Sequence, residues 1–185
     1  SFIEDSIFIN TKLSGTILGK TSMKMVCAEG VIGIPASLPD GWVLRSGYLI
    51  GPEANLTTLD FTNMDFRNLD LTKAYLSGSN FTNANLEDVD LSQSVIEDVN
   101  MSNANLNNTN LTGLSLKGWI APNVEGKPIG LNPNWQSING YLIGPGANLS
   151  SVNFSNVDLR SAKLQGVNFI YANLSGANLA GVDLT

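Results

Sequence analysis

Residues 54–118 read ANLTT LDFTN MDFRN LDLTK AYLSG SNFTN ANLED VDLSQ SVIED VNMSN ANLNN TNLTG LSLKG, thirteen blocks of five without an insertion. The third residue of every block is large and apolar, from Leu56, Phe61 and Phe66 through to Leu106, Leu111 and Leu116. The first is small or aliphatic, the second mostly Asp or Asn, and the last two mostly Ser, Thr, Asn, Gly or charged. A period of five matches neither the helical repeat of 3.6 nor the strand alternation of two. A short period kept this long means that one small unit is stacked many times.

Working outward, the same block occurs on both sides. Residues 1–25 read SFIED SIFIN TKLSG TILGK TSMKM, with Ile3, Phe8, Leu13, Leu18 and Met23 at the centres. From Ala147 to Thr185 the centres are Leu149, Phe154, Leu159, Leu164, Phe169, Leu174, Leu179 and Leu184. Terminal units of a solenoid ordinarily carry polar caps; none is readable here, which suggests a longer protein or ends that meet other copies.

Two stretches interrupt the ladder, 26–53 and 119–146, and they match each other at a constant offset of 93. Trp42 aligns with Trp135, Tyr48 with Tyr141, Gly51 with Gly144 and Pro52 with Pro145. Within each, WVLRSGYLIG and WQSINGYLIG read as two short strands joined by a tight turn, Asn139-Gly140 being the stronger hairpin signal. Gly-Pro then returns the chain to the ladder. The expectation is a β-hairpin leaning on the side of the rod. Trp42 and Trp135 either pin it down or, with Tyr48 and Tyr141, form a candidate interaction surface. Trp119, aligned with Val26, reads as local packing.

The blocks ANLTT, ANLED, ANLNN, ANLSG and ANLAG resemble the A(D/N)LXX signature of the pentapeptide-repeat family. That resemblance implies an all-β fold, a right-handed quadrilateral β-helix in which each block is one side of a square and four close a coil. It implies one solenoid over 1–185, with the two inserts carried on it. The central residue and the small residue two before it would point inward. Residues twenty apart would then form columns, such as Leu71, Leu91 and Leu111, or Phe61, Phe81 and Met101. Asp60–Asn80–Asn100 and Asp70–Asp90–Asn110 would form outer ladders. If each insert completes one turn, both hairpins leave the same side of the square, four coils or roughly 19 Å apart.

Composition narrows the chemistry. Charged residues are 14% of the chain, there is no His, and there is one Cys. The commonest general base and metal ligand is therefore missing, and no intrachain disulfide can form. Glu87, Asp88, Asp90, Glu97 and Asp98 sit at outward repeat positions on a flat wall, and paired catalytic carboxylates need a cleft to shift their pKa values. Cys27 has no His to activate it. No phosphate loop or Cys/His metal set is present, and stacked Asp70 and Asp90 offer fewer oxygens than calcium wants. The reading is of a non-enzyme with no cofactor and no metal. No apolar run is long enough to span a bilayer, and a net charge of −6 argues against direct nucleic-acid binding.

Two functions follow. One is a structural or scaffolding protein, a segment of a longer modular rod, fibre or surface protein, with protein partners or self-association end to end or laterally. The family resemblance points to a bacterial protein, and sparse Lys and abundant Asn favour the cell exterior. The other comes from the family resemblance: some members mimic DNA and occupy the DNA site of a type II topoisomerase such as gyrase. Residues 54–118 carry eight acids against three bases, but 147–185 balance to zero, so the acidic density does not run the whole length.

Overall fold

The structure, a computed structural model, describes residues 1–185. The repeat is explained by where its five backbone N–H groups go. The third-position N–H donates to the second-position carbonyl of the next coil, as from Phe61 to Asn80 (2.8 Å) and from Leu86 to Asn105 (2.9 Å). The second-position N–H donates back to the first-position carbonyl of the coil before, as from Asn80 to Leu59 (2.9 Å). The fifth reaches the fourth-position carbonyl of the next coil, Asn83 to Ser102 (2.9 Å), and the first closes a turn, Ala84 to Phe81 (2.9 Å). The fourth is capped by the side chain two residues earlier: the Thr82 N–H donates to Asn80 Oδ1 at 3.1 Å. No donor is left over, which buried backbone requires. It also gives the physical reason for Asp or Asn at the second position, a short side-chain acceptor that reaches the N–H two residues on.

The fifth position has a different requirement. Its φ is positive around the stack, as at Asn63 (61°), Asn83 (58°), Asn103 (56°), Gly78 (75°) and Gly113 (76°). Each of the thirteen central blocks ends in a left-handed residue that bends the chain into the next side, and Asn, Asp and Gly tolerate this best. Parallel bridges link Asn55, Tyr75 and Val95; Asp60, Asn80 and Asn100; and Asp65, Asn85 and Asn105. Each step is twenty residues, so four blocks make one turn. Numbering the sides from residue 54, blocks 54–58, 59–63, 64–68 and 69–73 occupy sides one to four.

The third-position residues fill the shaft. Leu71 and Leu91 are fully buried and Leu111 is 2% exposed. Phe61, Phe66 and Phe81 stack with ring centroids 5.2–5.3 Å apart. Polar residues at the inward first position bond backbone carbonyls, Ser94 Oγ that of Leu91 three residues earlier (2.6 Å) and the others carbonyls of the coil before. Ser79 Oγ donates to Leu56 O (2.6 Å), Thr109 Oγ1 to Leu86 O (2.8 Å) and Trp119 Nε1 to Ile96 O (2.6 Å). Burial therefore leaves none of them unpaired.

The coil runs past the blocks that show it plainly. Bridges Ile7–Cys27, Lys12–Ile32 and Ile17–Ser37 carry it through residue 37, and Asn100–Ile120, Asn105–Glu125 and Asn110–Ile129 carry it through 129. Only then does each hairpin form. Strand β1 (Val43–Arg45) pairs antiparallel with β2 (Tyr48–Ile50), and β3 (Gln136–Ile138) with β4 (Tyr141–Ile143). Ser46 (51°) and Gly47 (83°), like Asn139 (52°) and Gly140 (79°), have two positive φ values in succession, the type I′ turn that suits a two-residue connection.

Two sequence expectations need correcting. The hairpins do not lean on the wall; each fills a layer of the stack. The Gly47 carbonyl accepts from Val31 below (2.9 Å), while Tyr48 Oη donates to Asp60 O above (2.9 Å). Leu49 and Ile50 are fully buried between the coils, as is Ile143, with Leu142 2% exposed. Burying these side chains is worth about 1.5–3 kcal/mol each, which an outer position would forfeit. Nor do the hairpins share one side of the square. Asn55 N–H bonds Val26 O and Asn148 N–H bonds Trp119 O, so Ala54 stands over Val26 and Ala147 over Trp119. The turn is completed by residues 26–53, and the thirteen blocks that follow add three turns and one side. The second hairpin is thus rotated by a quarter turn: Tyr48 packs on Phe61 of side two, Tyr141 on Phe154 of side three.

Candidate interaction surface

Trp42 and Trp135, 8% and 7% exposed, present little of their rings to solvent. Each lies against the glycine that follows its hairpin. A Cβ on Gly51 would sit 2.5 Å from Trp42 Cδ2, and one on Gly144 would collide with Trp135 in the same way. Gly51 falls where the fourth side needs a central side chain, and the indole occupies the space instead. Tyr48 and Tyr141 are half-buried, with ring centroids 5.0 and 4.9 Å from Phe61 and Phe154. Of the four aromatic residues singled out from the sequence, only these two keep a solvent edge.

The hairpin layers interrupt the backbone ladder, and side chains substitute for it unequally. Below the central block, Arg45 Nη1 donates to Asp65 O (2.6 Å) and Tyr48 Oη to Asp60 O. These are the carbonyls that a coil beneath would have bonded. At the second layer Ile138 stands where Arg45 does in the first, and the side-chain hydrogen bond upward is Gln136 Nε2 to Ser161 Oγ at 3.3 Å.

The walls are hydrogen-bonded ladders. Asn80 Nδ2 donates to Asp60 Oδ1 (3.1 Å), Asn105 to Asn85 (3.2 Å) and Asn110 to Asp90 (3.0 Å). Asn107 and Asn108 serve Glu87 and Asp88, and Ser115 serves Glu97, so the outer carboxylates face solvent with neutral partners. Asp65 and Asp158 are each clamped by the guanidinium two residues on, at 2.8 and 2.6 Å. The hydrogen bonds from the Arg67 side chain and N–H hold the Asp65 carboxyl down at about 2, and Arg160 does the same for Asp158, also about 2. The Thr62 and Thr185 hydroxyls and N–H groups lower Asp60 and Asp183. Burial first, then Glu29, pushes the Cys27 thiol up, opposite to the depression that a nucleophilic thiolate needs.

One surface feature escaped the sequence reading. Ile7, Ile9, Ile17, Ile32 and Ile34 are 68, 55, 78, 51 and 81% exposed. They occupy second and fourth positions, where the central block places Asx and hydroxyl residues. That departure from the block pattern was the available signal.

Fold and surface define a class: a β-solenoid of stacked pentapeptide coils whose exposed groups lie on flat walls. The family profile described as pentapeptide repeats matches in eight copies over residues 53–83, 84–118 and 146–185. That is more than half of the chain, and the protein belongs to the pentapeptide-repeat family. No curated protein gives a significant sequence match. Among solved structures, the pentapeptide-repeat protein Rfr23 from the cyanobacterium Cyanothece 51142 is similar at 22% identity and TM-score 0.40, over 69% of this chain and 85% of that one. A trypsin-treated variant of QnrB1, a plasmid-mediated fluoroquinolone resistance protein, aligns at 19% identity and TM-score 0.39 over 100% of this chain and 72% of that one. HetL of Nostoc sp. strain PCC 7120, involved in heterocyst differentiation regulation, aligns at 20% identity and TM-score 0.27 over 99% and 89%. At such scores these likenesses carry nothing about function.

Proposed function

We propose that this chain is a non-enzymatic scaffolding rod, a segment of a modular protein that mediates protein–protein contacts or assembly, and that its coil is a right-handed square β-helix. The observation behind this reading is the second-order repeat. Two modules at an offset of 93 bury a Trp on a Gly, pack a Tyr on a Phe and fill one layer with a hairpin. The chain thus lengthens by whole modules, each turned a quarter relative to the last. This is the behaviour of a solenoid built for length and display, since each coil depends only on its neighbours. Small-angle scattering of the native full-length polypeptide tests it: a rod-shaped cross-section and concentration-dependent assembly are expected. A native polypeptide limited to these two modules and monomeric at high concentration would overturn it.

A second reading is favoured by the acidic central block, in which Asp60, Asp65, Asp70, Asp88, Asp90 and Asp98 stand on outer walls. In it the rod imitates the charge of DNA and occupies a type II topoisomerase. A supercoiling assay with purified gyrase decides it; neither inhibition nor protection at micromolar protein ends that reading.

A further inference from the structure

The offset of 93 supplies an internal control for every exposed residue of the first module. Ile7, Ile9, Ile17, Ile32 and Ile34 align with Asn100, Ser102, Asn110, Glu125 and Lys127. The bridges Ile7–Cys27 and Asn100–Ile120, or Lys12–Ile32 and Asn105–Glu125, show that the aligned residues occupy the same place in the coil relative to their hairpins. The fold therefore accepts polar residues at all five sites. The isoleucines add nothing that the coil requires, and they expose half or more of their surface. By their bridges Ile7 and Ile9 stand on side one, Ile32 and Ile34 on side two and Ile17 on side three, so the exposed isoleucines run around one end of the first module. Apolar exposure beyond what the fold needs marks a contact site.

We propose that this isoleucine patch, centred on Ile32 and Ile34 with Ile9 and Ile17 at its two edges, is where a second copy of this chain docks side by side. The inference rests on the scaffolding reading and names its partner. Charge selects the occupant. Residues 1–34 carry Glu4, Asp5 and Glu29 against Lys12, Lys20 and Lys24, a balance of zero, whereas 54–118 carry −5. Two copies repel each other along the central block and approach freely at the first module. There Lys12, bridged to Ile32, and Glu29, whose carbonyl accepts from Asn10, give the patch one charge of each sign. A two-fold contact sets each against its opposite, as a self-complementary interface demands. The isoleucines are second- and fourth-position residues on the walls, so coils stacked on the end of the solenoid would leave them uncovered.

The test exchanges the five isoleucines for the residues their counterparts carry: I7N, I9S, I17N, I32E and I34K together, with I34K alone as the minimal variant. Sedimentation equilibrium of the chain is expected to show a dimer at micromolar concentration. The apparent Kd should weaken about 10-fold for I34K and at least 100-fold for the set, since a tenfold step, about 1.4 kcal/mol, is no more than the burial of one isoleucine side chain supplies. Circular dichroism and thermal melting of both variants establish that the coil survives, and if the set unfolds, I34K alone decides. A wild-type chain that stays monomeric at hundreds of micromolar overturns the inference, as does a dimer whose Kd both variants leave unchanged. The rod-shaped cross-section in scattering is read on the same samples and tests the scaffolding proposal separately: a monomeric rod sinks only the patch, a compact particle sinks the scaffold.

Discussion

Substituting Gly51 by Ala sets two known effects against each other, and the structure decides the sign. Gly51 is not at a positive φ. Where the backbone suits any residue, Gly to Ala stabilises by about 0.4–1 kcal/mol, because the unfolded chain has less freedom to lose. Here the new Cβ would lie 2.5 Å from Trp42 Cδ2 and 2.6 Å from Cγ, the rigid root of the ring. Cγ can move only through χ1 or the backbone, so the cost is that of overpacking, about 1–3 kcal/mol. The net expectation is a loss of about 1.3 kcal/mol, the difference of the two midpoints. Urea denaturation followed by tryptophan fluorescence measures it. The same substitution in a Trp42→Leu background should be neutral or stabilising, because the clash is gone. A coupling near zero in that double-mutant cycle, or G51A at least as stable as wild type, would refute the account of glycine as the seat of the indole. Gly144 and Trp135 provide an independent repeat of the experiment.

Three further outcomes are expected. Leu91→Ala, in the middle of the stack, should cost about 2–5 kcal/mol by chemical denaturation, whereas Leu184→Ala, 54% exposed, should cost far less; similar losses would mean that the column does not carry the fold. Arg45→Ala and Tyr48→Phe should each destabilise by about 0.5–1.5 kcal/mol, because Asp65 O and Asp60 O exchange a protein donor for water, and hydrogen exchange should rise first at residues 59–66. Lowering the pH should reduce the melting temperature between about pH 4 and pH 2. The carboxyls of Asp60, Asp65, Asp158 and Asp183 titrate lower folded than unfolded, so their stabilisation is present above the unfolded pKa and lost as pH falls through the folded values. A flat melting temperature over that range would contradict it.

The sequence alone determined the periodic part. A third-position apolar residue every five, kept for thirteen blocks, showed that one unit is stacked. That four blocks close a coil, so that Leu71, Leu91 and Leu111 form a column, was implied by the family resemblance, and the bridges twenty residues apart agree with it. So was the hairpin at Asn139-Gly140, because two successive left-handed residues leave a compositional mark. The reason for Asp and Asn at second positions and for Asn and Gly at fifth positions was present in the letters, but it emerged only once each N–H had been traced. What the tertiary structure decided is everything that depends on phase. Whether residues 26–53 close one turn or a turn and a quarter is a matter of which carbonyl Asn55 meets, and no local propensity encodes it. The burial of Trp42 and Trp135, the hairpins lying within the stack and the quarter-turn between modules all follow from that register. The isoleucine patch became visible for the same reason: an outward residue is recognised as surplus only when its counterpart in the other module is known to occupy the same place.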